Sequence, residues 1–213
     1  KARTMEDEES EEWSDEEVSW VSWFCSRREN RFLCEVDRDY IQDNFNLYGL
    51  RSQVPCCDEA LAQILDYEPK PGQTEEHTEK VVTSAMLLYG LIHARYILTT
   101  QGLNAMLEKY NNYDFGTCAR VQCEHQAVLP VGLSDIPHEE PVKVFCPRCN
   151  EVYNPRPRKC AALDGAYFTR TFPHLLCLQY PEIVSTKPRG TYVPRIYGFK
   201  IRGYSNRGNR PPC

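Results

Sequence analysis

The chain has 213 residues, 41% hydrophobic and 26% charged, with a net charge of -5. That length supports a packed core and leaves room for two small domains. No apolar run approaches the roughly 18 residues of a membrane span, and 11 cysteines, an odd number, without a secretory leader argue against an oxidised extracellular framework. The expected setting is therefore cytoplasmic and nuclear. Lys1 rather than Met stands first, as at a fragment boundary.

Charge is unevenly laid out. Residues 1–24 hold nine acids against Lys1 and Arg3, while no acid follows Glu182 and the tail carries Lys187, Arg189, Arg195, Lys200, Arg202, Arg207 and Arg210. Residues 1–13 read as an acidic disordered head. Ser14 and Glu17 then form an S-x-x-E capping box ahead of Val18, Trp20, Val21 and Phe24. The same Ser with an acid at +3 also suits an acid-directed kinase. Three tryptophans, Trp13, Trp20 and Trp23, predict that this helix is held against a larger body.

A second helix is expected after Asp39, using Tyr40, Ile41 and Phe45 and ending near Gly49. Pro55 suits the first residue of a third, with Leu61, Ile64 and Leu65 on one face. Glu68-Pro-Lys-Pro-Gly-Gln breaks the pattern as a loop. From Glu79 to about Tyr110, Val82, Met86, Tyr89, His93, Tyr96 and Ile97 recur at helical steps. Gly90 and Gly102 within this stretch favour two helices over one. His93 faces the apolar stripe and is read as a core histidine. Residues 14–113 thus form an α-helical domain.

Past Asp114 the composition changes to proline, glycine and β-branched residues. Cys118 and Cys123 make a C-x₄-C pair and Cys146 and Cys149 a C-x₂-C pair, 22 residues apart. Two close pairs of thiolates suit tetrahedral Zn²⁺, one ion per chain, and four sulfur ligands leave no open place for a substrate. The site is structural. Val142–Phe145 and Glu151–Tyr153 read as strands beside the second knuckle, the pattern of a small antiparallel zinc ribbon over residues 114–170. Residues 171–213 are left as an extended segment, in which Tyr192–Ile201 reads as an apolar, aromatic docking strand.

Catalytic patterns are missing. Asp114-Phe115-Gly116 matches the Mg²⁺-binding triplet of kinases, but there is no Gly-rich phosphate loop, strand lysine or H-R-D loop, so it reads as a turn. His125, two residues after Cys123, could substitute for a cysteine ligand, but the four-Cys set is complete without it. Nucleic-acid binding is disfavoured, since residues 116–160 hold six Lys/Arg against five Asp/Glu. A ribbon that joins proteins fits better.

Cys118-x₄-Cys123-x₅-Leu129-Pro-Val-Gly132-x₉-Val142-Lys143-x₂-Cys146-Pro-x-Cys149 closely resembles the signature of the regulatory (beta) subunit family of casein kinase II. So do Glu17–Cys25, Asp39–Asp43, Leu88–Leu98, Gly132–Pro137, Asp164–Phe168 and Pro194–Lys200, giving coverage from about Ser14 to Ile201. The resemblance implies a non-catalytic scaffold whose ribbon makes a homodimer and whose C-terminal segment holds two kinase catalytic subunits, which act on protein substrates. Carried over by motif, Tyr197 and Phe199 are the docking aromatics. Val121 and Val152, beside the knuckles, are the candidate dimer contacts, and Ser14 corresponds to the autophosphorylation region. The chain departs from the family at Ala119, where proline is usual, and at Asp58, where the turnover-box arginine is expected. The loop after Glu68-Pro69 is also shorter and less acidic than the family's.

Overall fold

The computed structural model describes residues 18–68, 72, 74–156, 160, 162–184 and 195–200. The chain is α+β. Among the described residues, five helices come first: α1 (Trp20–Ser26), α2 (Arg38–Gln42), α3 (Cys57–Ile64), α4 (Glu75–Tyr96) and α5 (Thr100–Asn111). A three-stranded antiparallel sheet follows, β1 (Leu129–Val131), β2 (Lys143–Cys146) and β3 (Glu151–Tyr153), in the order β1-β2-β3. After it come α6 (Phe172–Gln179) and a hairpin of β4 (Arg195–Ile196) and β5 (Phe199–Lys200).

Helix starts follow local capping chemistry, although not always at the expected residue. The cap of α1 is Ser19, whose hydroxyl accepts from the Ser22 N–H at 3.2 Å. Ser14 and Glu17 lie outside the described residues and do not bound this helix. The Trp20 amide donates to Asp66 Oδ1 at 2.9 Å, a contact spanning 46 residues. Trp20 stacks on Phe24 at 4.7 Å and meets the Tyr89 ring edge-on, so α1 is held against the body as its tryptophans predict. Helix α2 stops at Gln42, earlier than expected, and Phe45 is 84% exposed. Asp43 is the cause: its carboxylate accepts from the Phe45 N–H at 2.9 Å, a local turn that competes with helix propagation. Helix α3 begins two residues after Pro55, with Cys56 at φ 47° as its cap.

The long helical stretch does divide in two, but not at its glycines. Helices α4 and α5 are bent by 98° at Ile97–Thr99. Thr99 makes the corner: its Oγ1 donates to the Tyr96 carbonyl at 2.7 Å and accepts from the Gly102 N–H at 3.1 Å. Gly90 is inside α4 for a packing reason. A Cβ there would fall 2.3 Å from the Tyr167 ring.

One apolar core runs from Trp20 to Ile183 and joins the helices to the sheet. His93, fully buried, is a junction within it. The Cys34 N–H donates to His93 Nε2 at 3.2 Å, and His93 Nδ1 donates to the Tyr167 carbonyl at 2.8 Å. Both ring nitrogens are satisfied in the neutral form, and burial pushes the imidazole down to about 4. Beside it, Tyr89 donates to the Cys34 carbonyl at 2.9 Å. Burial raises the Cys25 and Cys34 thiols to about 11 and about 12, which favours the neutral thiol in both.

Strand β1 carries Pro130, which its place at the sheet edge permits. Helix α6 lies in the segment read from sequence as extended. Pro173 sits in its first turn, where no amide hydrogen is required, and Phe172 and Leu176 are fully buried. The Tyr192–Ile201 strand is likewise resolved differently over residues 195–200, as a hairpin turning at Tyr197 and Gly198.

Candidate metal centre

The first knuckle runs from Cys118 through a short 3-10 turn at Val121–Cys123 and closes with Glu124 and His125 at positive φ. Its ends are tied by the Cys118 N–H donating to the Gln126 carbonyl at 2.8 Å. The Gln126 amide in turn donates to the Tyr110 hydroxyl of α5 at 2.7 Å. The second knuckle leaves β2 at Cys146 and turns at Asn150, φ 58°, whose amide donates to the Cys146 carbonyl at 2.9 Å. Asn is one of the few side chains that accept this left-handed conformation readily.

The two knuckles bring four thiols together. The Sγ atoms of Cys118, Cys123, Cys146 and Cys149 all lie within 4.8 Å of one another. Cys118 Sγ and Cys149 Sγ are 3.9 Å apart. Tetrahedral Zn–S bonds of about 2.3 Å place sulfurs roughly 3.8 Å apart, so the donor set fits this ion. His125 is exposed and outside the cluster.

Two supporting residues were not singled out from sequence. Arg148 Nη1 donates to the Cys123 carbonyl at 2.9 Å and pairs with Glu124 at 3.1 Å, which fastens one knuckle to the other. The Tyr153 hydroxyl lies 3.4 Å from Cys149 Sγ. Tyr153 falls four residues after Cys149 on β3, a placement that suits a hydrogen bond to a ligand sulfur. The electrostatics are those of a cation site. Burial, reinforced by the thiols of Cys118 and Cys149, pushes Cys123 up to about 12, and burial raises Cys146 as well. Burial also opposes ionisation of Cys149, but the Tyr153 hydroxyl, the Glu151 backbone and the neighbouring thiols together hold it below its ordinary value. Four thiols this close form a donor set that a dication would stabilise as thiolates.

The other singled-out residues are not ligands. Val121 is 92% exposed in the first knuckle and Val152 is 43% exposed on β3. In the hairpin, Arg195 pairs with Lys200 and Ile196 with Phe199, while Tyr197 and Gly198 turn at φ 47° and 85°. Positive φ at both central positions is the requirement of a type I′ hairpin. This turn lifts Tyr197 to 97% exposure and leaves Phe199 at 79%. Asp114 of the kinase-like triplet is spent on structure: Arg31 and Lys109 each pair with it at 3.2 Å, and Phe115 is buried.

The family model described as casein kinase II regulatory subunit matches residues 19–200. The chain belongs to the casein kinase II regulatory subunit family. It is 55% identical over 188 residues to a putative casein kinase II subunit beta-4 of Arabidopsis thaliana, covering 87% of this chain and 66% of that protein. It is 49% identical over 201 residues to casein kinase II subunit beta of Dictyostelium discoideum, covering 94% and 75%. With casein kinase II subunit beta of Schizosaccharomyces pombe it shares 53% identity over 196 residues, covering 92% and 84%. The casein kinase II regulatory subunit is the non-catalytic member of its kinase, in keeping with a chain whose kinase-like triplet is a structural turn.

Proposed function

We propose that this chain is the scaffold of a casein kinase II holoenzyme. Its ribbon forms a homodimer that presents the exposed Val121 and Val152 to the partner chain. The dimer holds two catalytic subunits and modulates their stability, activity and choice of protein substrate. One Zn²⁺ per chain would be held by Cys118, Cys123, Cys146 and Cys149. The ion supplies charge compensation and a cross-link between the knuckles, and with sulfur in every place it leaves no site for a reacting group.

The observation that carries the kinase-binding reading is the hairpin. A tight turn spends a left-handed conformation on a tyrosine, which costs about 1–2 kcal/mol relative to glycine, and holds two large rings in solvent. Aromatic side chains so displayed act as interface anchors, each worth roughly 2 kcal/mol or more on truncation when buried in a partner's apolar groove. Tyr197→Ala combined with Phe199→Ala is expected to weaken binding to a casein kinase II catalytic subunit by at least tenfold in calorimetry while leaving the dimer intact. Parallel loss of both properties would assign the rings to the fold.

A further inference from the structure

A second cluster of ligating side chains lies far from the ribbon in sequence, where α3 and α4 begin. The ligand atoms of Cys56, Glu59 and His77 are all within 4.8 Å of one another, and each residue is half-buried. Glu59 follows Cys56 by three residues, which sets both on the same side of the start of α3. His77 is fixed in the first turn of α4, where its own N–H donates to Thr74 Oγ1 at 3.3 Å. Its Nε2 stands 3.0 Å from Glu59 Oε2. Cys56 caps α3 by position only, its thiol making no cap hydrogen bond at the helix start.

We propose that Cys56, Glu59 and His77 form a second divalent-metal site, selective for Zn²⁺ or a similar first-row ion. One thiolate, one imidazole and one carboxylate make a borderline-soft donor set that suits Zn²⁺ and excludes Ca²⁺ and Mg²⁺, which demand oxygen. The surroundings favour a cation. Asp58 and Glu59 stand in the first turn of α3 and Glu75 and Glu76 in that of α4, against Arg51 on Asp58 and Lys80 on Glu76. Three protein ligands leave a fourth place for water. Binding releases the Cys56 thiol proton and shifts the His77 ring proton from Nε2 to Nδ1; the His77–Glu59 hydrogen bond gives way to two metal bonds, which clamp the start of α3 to that of α4. None of the three ligands belongs to the four-cysteine centre, so the two sites are independent.

The test loads the full chain with one zinc per chain to fill the ribbon, then titrates Co²⁺ while total zinc is followed in the same sample. The expected result is a thiolate-to-cobalt charge-transfer band that saturates at one added equivalent with no zinc released. The band should vanish in Cys56→Ser. In His77→Gln the cobalt affinity should fall by about tenfold or more, since even residues behind a ligand are worth that much. Absence of the band in the unmodified chain, its persistence in Cys56→Ser, or its growth only as zinc leaves would overturn the proposal. Those outcomes would reduce the cluster to a His77–Glu59 hydrogen bond between two helices. Because the decisive signal is read on the unmodified chain, a variant that folds poorly cannot rescue or sink it alone.

Discussion

In the helical region Phe32, Leu88, Tyr89, Ile92, Ile97 and Met106 are all at 0% exposure, and both nitrogens of the buried His93 have backbone partners. The ribbon shares that core through Leu129, Val142 and Val144, but its knuckles close on thiols instead. Its strands are three or four residues long, and its two knuckles gather four thiols that repel one another once ionised. The helical region is stabilised by packing, whereas the ribbon adds to its share of the core a cluster suited to a cation and the hydrogen bonds around it. The contrast predicts a helical region that keeps its fold when metal is removed and a ribbon that does not.

The largest expected effect comes from removing a ligand. Structural Zn²⁺ contributes an apparent 10–16 kcal/mol, roughly, to small metal-dependent folds. Cys146→Ser should therefore abolish zinc retention and the dimer, while far-UV circular dichroism keeps most of its helical signal. A zinc-loaded dimer in that variant would erase the contrast between the regions.

The next effect belongs to the helical region. His93 has its folded value lowered to about 4 from an ordinary 6.5. The unfolded chain thus binds a proton first on acidification, so the stabilisation is complete above pH 6.5 and is lost as pH falls from 6.5 through 4. The span is worth about 3 kcal/mol. Urea unfolding of His93→Gln should lack this loss, and its stability difference from the unmodified chain should narrow over that range. Parallel curves would show that His93 does not sit neutral in the core.

A smaller effect should come from Tyr153→Phe, which leaves the ring and removes the hydroxyl beside Cys149. Zinc affinity is expected to fall by about tenfold, the scale of a lost partner to a metal ligand, with the denaturation of the helical region unchanged. Competition with a chromophoric chelator reads this directly, and an unaltered affinity would restrict Tyr153 to packing.

Much of this architecture was readable residue by residue. Paired cysteine spacings announce the metal centre because ligand geometry forces each knuckle to be short, and the apolar steps through Tyr89, His93 and Tyr96 announce the buried helix. Long-range contacts were not readable. Ser14 and Ser19 offer the same capping chemistry, and the Trp20 amide's bond to Asp66 across the fold has no local signature. Phe45 looked like a helix-face residue until Asp43 turned the chain beneath it. Residues from 171 onward read as extended, but at the first turn of a helix Pro173 is a starter. At the metal centre, Tyr153 and Arg148 were missed because supporting contacts depend on which knuckle faces which, and spacing does not encode that.

The most direct test of the central claim is native mass spectrometry of the purified chain, alone and mixed with a casein kinase II catalytic subunit. A zinc-bearing dimer that takes up two catalytic chains is the predicted result. A zinc-bearing chain that ignores the kinase would leave the ribbon standing and contradict the scaffold.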